Sequence, residues 1–416
     1  MTRRPEPARA RSPRAPRDPY GIGPVASYVG PAIALVALVL IGAFTISLLN
    51  GNIPFVPTAN HNGGNGDGGN GSDATPSPAP SNKVITVPAN TFPGSIVYAK
   101  AGNIWIQTSQ DAHQLTNTGN DSMPTFSADG KWIYFIRINE SRAKFPTGGY
   151  QHRSWYDLET PGLVRIRPDG SGAQRLLTGS YVQGSSKWFF WLRQPVPSPD
   201  GKTVVVVSDG PNPLQSDIVL HTFGIASKKL TSLNLPESLH LGHQDPAWRP
   251  DGRVLLYVMN GRAQTRGAPQ IYRYDPSTKT AKALTGPGYL APAYSPDGAW
   301  IAATNTDAFG TDIAILDPAG KEVLRVTTDG HSFSPTWSPA GDAIAFLHLE
   351  GTIVDLKMAK LDKSTGRWTV TDTLDLTKVS ALDGASRPSW FIAPAELPGP
   401  GAGPGTGGSP AASTAP

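Results

Sequence analysis

The sequence predicts an all-β fold: a six-bladed β-propeller with four-stranded blades, closed by N- and C-terminal strands that share one blade, and preceded by one transmembrane helix. Three observations carry this expectation. A heptapeptide of the form Pro-x-aromatic-Ser-Pro-Asp-Gly recurs along the chain, a short apolar run comes after each copy, and a long uncharged apolar stretch lies upstream of them all. The copies are Pro124–Gly130, Pro195–Gly201, Pro246–Gly252, Pro292–Gly298 and Pro335–Gly341, with a stump at Pro388–Trp390. A repeat of about 50 residues containing the same hairpin each time is the pattern of a propeller.

Residues 1–23 form an Arg/Pro-rich tail, read as cytoplasmic. Arginines 3, 4, 9, 11, 14 and 17 face only Glu6 and Asp18 within the first 18 positions, so the tail accounts for the whole formal net charge of +4. The remainder is balanced and offers no basic footprint for nucleic acid. Residues 24–50 contain Val25–Leu49, almost wholly apolar and long enough to cross a hydrocarbon core of about 30 Å. A cleaved signal peptide would have a shorter apolar region and a small-residue cleavage site, and a soluble buried helix would show a polar face. The basic residues before the span keep the N-terminus inside and place the C-terminal remainder of the chain outside.

Residues 51–93 read as a disordered Gly/Asn/Pro linker, flexible over Gly63–Gly71 and extended over Pro76–Pro80. Its Asp67 and Asp73 are too few to form a calcium cage. The propeller is expected over 94–393 and a second disordered tail over 394–416. In the motif, Ser-Pro-Asp-Gly suits a tight turn, with proline fixing φ and glycine taking a left-handed conformation. The runs behind it, such as Trp132–Ile136 and Val204–Val207, are apolar at both odd and even positions, as strands buried on two faces are. Each unit continues with a second strand pair ending in a Leu-Thr signature, for example Leu163–Arg167 with Arg175–Thr178. At the N-terminal end, strands at Ser95–Tyr98, Asn103–Ile106 and His113–Thr116 lack a first strand, which Pro388–Ile392 would supply to close the ring.

The motif resembles that of the TolB-type six-bladed β-propeller, which is also seen in the propellers of prolyl-oligopeptidase-like enzymes. The resemblance covers 94–393. Ala128 stands for Pro, Pro197 for the aromatic, Arg249 for Ser and Ala340 for Asp, which marks divergent blades. It implies a binding module in the cell envelope. The plan of a tail, one span and an external propeller differs from soluble periplasmic TolB and looks like that of a membrane-anchored relative.

Chemistry is hard to place on this chain. There is no cysteine, which excludes disulfides, thiolate metal sites and a Cys nucleophile. No Gly-x-Ser-x-Gly elbow, sialidase spacing or nucleotide-binding glycine pattern occurs. The turn acids Asp129, Asp200, Asp251 and Asp297 are expected to bond their own backbone. A metal site could be assembled from His240, His243 and Asp245 with His331, or a polar channel mouth from the same loops. Asp121, Arg193, Gln194, Gln244, Tyr289 and Arg387 belong to the same loop positions. Two segments exceed the blade template: 140–161, with Tyr150, His152 and Trp155, and 180–194, with Trp188 and Trp191. The first reads as a recognition loop. In the second, Trp188–Leu192 could equally pack its own blade. The expected function is a non-catalytic scaffold or envelope sensor without a cofactor, binding protein, peptide or cell-wall polymer; the alternative is a propeller enzyme with a metal or polar site at the channel mouth.

Overall fold

In a computed structural model, the described residues are 92–146, 153–183, 186–211, 218–233, 235, 242–260 and 269–397. The expected tail at 1–23, the expected span at 24–50, the expected linker as far as residue 91, Tyr150, His152, His240 and the C-terminal residues from 398 lie outside them. Among the described residues no helix is long and apolar enough to cross a membrane.

Six four-stranded antiparallel sheets succeed one another along the chain. Blade 1 takes its inner strand, Ser389–Phe391, from the C-terminal end and its other three, Ser95–Lys100, Asn103–Gln107 and Ala112–Gln114, from the N-terminal end. Ile96 pairs with Trp390 and Val97 with Ser389 across that seam. The inner strands of blades 2 to 6 are Asp121–Phe126, Arg193–Pro197, His243–Trp248, Tyr289–Tyr294 and Ser332–Trp337. The ring closes as the split sixth motif predicts.

The described residues of the ring begin at Phe92. Phe92 is buried and packs edge-on against Trp390 at 5.6 Å, and the Trp390 indole N–H donates to the Pro93 carbonyl at 2.9 Å. At the far end Pro394–Glu396 forms one 3-10 turn beyond the expected boundary.

Burial explains the doubly apolar strands. In Ser95–Lys100, Ile96 and Tyr98 join a cluster with Ala345, Leu347 and Met358 of blade 6, while Val97 and Ala99 join one with Ile133, Phe135 and Val164 of blade 2. The same alternation recurs around the ring, with Tyr134 and Ile136 against Val204 and Val206, and Val205 and Val207 against Leu255 and Tyr257. Neither face of a middle strand meets water, so both parities must be apolar.

The turns behave as read. The Ser127 hydroxyl donates to Asp129 Oδ1 at 2.6 Å and accepts the Trp132 N–H at 3.0 Å, while the Lys131 N–H reaches Asp129 Oδ1 at 3.2 Å. Ser198 with Asp200, and Ser295 with Asp297, repeat this. In blade 4, where arginine replaces serine, the Arg249 guanidinium takes over with two bonds to Asp251 at 2.8 and 2.7 Å, and holds that carboxyl at a pKa of about 2. Gly130, Gly201, Gly252, Gly298 and Gly341 all take φ between +67° and +79°.

Within the segment at 140–161, residues 140–146 and 153–161 are strand and not irregular loop. Ile133–Pro146 and Arg153–Ile166 are 14-residue strands paired throughout, from Ile133–Ile166 out to Pro146–Arg153, so the blade's middle hairpin is lengthened. The 180–194 segment adds a separate hairpin, Ser180–Gln183 with Ser186–Phe189.

Candidate functional site at the channel

The site is built from the residue that precedes the motif proline in each blade: Met123, Gln194, Asp245, Ala291, Ser334 and Arg387. All six of the prolines next to them are buried. In blades 2 to 6 the pairing register of the inner strand shifts at this point, as at Ser122/Thr125 and Gln244/Ala247, which marks a β-bulge. Met123, Gln194, Asp245, Ala291 and Ser334 there take φ of 56°, 48°, 53°, 50° and 54°. A residue before proline ordinarily favours extended backbone, and a left-handed non-glycine costs roughly 1–2 kcal/mol.

A relay of side chains supports that geometry. Each left-handed residue's backbone N–H is taken by a side chain from the preceding blade. The Met123 N–H donates to Ser386 Oγ at 2.8 Å, the Gln194 N–H to Met123 Sδ at 3.2 Å, and the Asp245 N–H to Gln194 Oε1 at 2.9 Å. The Ala291 N–H donates to Asp245 Oδ2 at 3.0 Å. Ala291 has no group to pass on, and in its place buried Thr304 accepts the Ser334 N–H at 2.9 Å.

Arg387 departs from the pattern. It is absent from the left-handed positions, and its side chain crosses from blade 1 to blades 5 and 4. There Nη1 donates to the Pro292 carbonyl at 2.8 Å, and Nη2 lies 3.6 Å from Asp245 Oδ1. Removal from water pulls the guanidinium below its ordinary pKa, and the Asp245 charge opposes this. Its side chain retains 24% of its accessible surface.

Met123, Gln194, Asp245, Ser334 and Arg387 line a cavity of about 840 Å³, open solvent at its mouth included, together with Val196, Ala247, Trp248 and Tyr294. The walls are mixed: apolar from Met123, Val196, Ala247 and Ala293, polar from Gln194, Asp245, Ser334 and Arg387. An arrangement of this kind orients a ligand through a few fixed polar groups and shields it with apolar surface.

Of the residues named from sequence, Gln194, Asp245 and Arg387 come together in the cavity. Others turn away from it. Asp121 is buried in a two-pronged ion pair with Arg137, at 2.6 and 2.7 Å. His243 is buried and packs edge-on against Tyr257 at 4.9 Å. Tyr289 donates to Glu322 at 2.8 Å, and Gln244 donates to Asn260 at 3.1 Å. His331 is exposed on blade 6, its ring 6.4 Å from that of His348. Arg193 is exposed beside the strand. Among the described residues no group of three or more His, Asp or Glu is placed to hold a metal ion, and His240 is outside them. Met123, Ser334, Thr304 and Ser386 were not singled out from sequence. For Met123 and Ser334 the signal was available in the column of residues before the motif proline, which varies while the proline stays fixed.

The aromatic segments divide. Trp155 and Trp191 are 56% and 55% exposed, and Trp188 is 42% exposed. Phe190 and Leu192, by contrast, are buried between blades 2 and 3.

Comparison with known proteins agrees with the fold. The TolB of Acinetobacter baumannii superposes with a TM-score of 0.51 at 18% identity, over 71% of this chain and 66% of that one. The Tol-Pal system protein TolB of Anaeromyxobacter dehalogenans is 36% identical over 94 residues, 22% of this chain. An uncharacterized protein of Agrobacterium fabrum is 32% identical over 146 residues, 34% of this chain and 40% of its own length. The match spans only about a fifth (21%) of the length of the curated TolB relative. A family model described as the TolB beta propeller domain matches residues 175–390, more than half of the sequence, and the chain belongs to that family.

Proposed function

We propose that this chain is a membrane-anchored binding module: one span within 24–50 holds a non-catalytic propeller outside the membrane, and the channel mouth receives a protein of the cell envelope. The observation that carries this reading is the cavity bounded by Gln194, Asp245 and Arg387. The turn aspartates serve their own turns and the buried Asp121 is neutralised by Arg137, whereas Arg387 places a partly desolvated cation in an accessible pocket. The name of the curated relative, a Tol-Pal system protein, supports a protein partner in the envelope. The uncharged stretch Val25–Leu49 behind the Arg-rich tail supports the anchor.

The full chain, crosslinked in its native membrane and purified, tests this. Wild type captures a discrete extracytoplasmic protein, and Asp245→Asn combined with Arg387→Gln lowers that capture at least about tenfold, as loss of a central charged contact does. Equal capture by the variant would remove the channel from the binding surface.

A further inference from the structure

Asp245 and Arg387 face each other across the cavity but are not equally satisfied. Both carboxylate oxygens of Asp245 have close donors: Gln194 Nε2 to Oδ1 at 2.6 Å and the Ala291 N–H to Oδ2 at 3.0 Å. Arg387 offers five N–H donors. Among the described residues it makes one hydrogen bond, to the Pro292 carbonyl, and one longer ion pair at 3.6 Å. Several donors of a largely covered cation are therefore left for whatever occupies the cavity, and a covered charge without acceptors is costly. A planar guanidinium is matched in two-pronged fashion by the paired oxygens of a carboxylate or a phosphate.

Three features narrow the anion. A doubly charged phosphate would stand beside the Asp245 charge, so a singly charged carboxylate is favoured. The walls set the hydroxyls of Thr125, Ser334 and Thr336 beside apolar surface from Met123, Val196 and Ala247, which suits a peptide, whose amides and apolar side chains use both, better than a sugar acid, which is polar throughout. Finally, Arg387 crosses the lumen from blade 1 to blades 4 and 5, so a chain running through would meet it, while a chain end can stop at it.

We propose that the cavity receives the C-terminal carboxylate of a peptide chain on Arg387. The proposal rests on the binding-module reading and specifies what part of the partner enters. Three libraries of N-acetylated hexapeptides test it against the full chain: one with free C-termini, one amidated, and one amidated with an internal glutamate. Retention is read by mass spectrometry and the retained peptides are titrated by calorimetry. Free-acid peptides are expected to bind about 10- to 100-fold more tightly than their amides, the size of a charge-assisted hydrogen bond. Arg387→Gln removes that difference, and Arg387→Lys keeps part of it. If Arg387→Gln does not fold, the acid-to-amide ratio in the wild type decides alone. Equal binding of acid and amide, binding of neither, or a ratio that persists in Arg387→Gln overturns the proposal. Internal-glutamate amides binding as tightly as free acids overturn the assignment to a chain end. A preserved acid preference with no envelope protein captured would leave this inference standing and count against the partner reading.

Discussion

Gln194 and Asp245, each the residue before the motif proline in adjacent blades, are joined by two hydrogen bonds. The Gln194 amide donates Nε2 to Asp245 Oδ1 at 2.6 Å, and the Asp245 backbone N–H donates to Gln194 Oε1 at 2.9 Å. One amide thus satisfies the left-handed backbone of the next blade and fixes the carboxylate that faces Arg387. Gln194→Ala leaves both groups without that partner and is expected to cost about 1–3 kcal/mol in denaturant unfolding. Gln194→Glu should cost at least as much at neutral pH, because it sets a second carboxylate against Asp245, and should recover on acidification.

Gly130 and Gly201 hold the same place in successive motifs, at φ +68° and +67°. Alanine at either meets the left-handed penalty of about 1–2 kcal/mol. At Gly201 a Cβ has open space, but at Gly130 it would lie 2.2 Å from the ring of Phe391, on the C-terminal strand that closes the propeller. Gly130→Ala is therefore expected to lower the unfolding free energy clearly more than Gly201→Ala. Equal losses would mean that the seam does not pack as described.

How much of this was legible in the sequence depends on local rules. The blade count and the closing strand came from the repeat, and the role of Asp129 and Asp200 came from turn chemistry. The channel lining did not. Position in the loops ahead of the inner strands groups Asp121, His243, Asp245 and Tyr289 as mouth residues, and regular alternation would keep His243 and Asp245 on one face. A left-handed residue breaks that alternation, so His243 goes between blades while Asp245 enters the channel. Such a backbone is unexpected before proline, and the bonds that hold it come from another blade. The lengthened strand pair was missed because the segment exceeds the blade template and was read as a recognition loop, yet the pairing continues out to Pro146 and Arg153.

Trp390 closes the ring through packing as well as pairing. It is buried, stacks edge-on with Phe92 and bonds the Pro93 carbonyl. Trp390→Ala is expected to cost about 3–5 kcal/mol, the range for a large buried aromatic. Removal of residues 388–416 takes away the inner strand of blade 1 and should abolish cooperative unfolding monitored by circular dichroism.

Two buried histidines set a pH dependence. Burial holds His221 below its ordinary pKa, only partly opposed by the Val219 carbonyl and Asp209, and burial together with Lys357 does the same for His348. Folding therefore favours the neutral ring. Its contribution is fully present above the unfolded pKa of about 6.5 and is lost as pH falls through the lower folded value. The melting temperature should decline from pH 7.5 to 5.5, and His221→Gln should flatten part of that decline.

Engagement of the partner by the channel, and not by the blade periphery, is tested most directly by site-specific photo-crosslinking in the native membrane. A photoreactive residue at Ser334 lines the cavity, and one at Thr373 lies exposed on the outer strand of blade 6. A channel-bound partner predicts a discrete adduct from position 334 that disappears with Arg387→Gln, and none of that mass from position 373. The same adduct from both positions, or one from 373 alone, would contradict it.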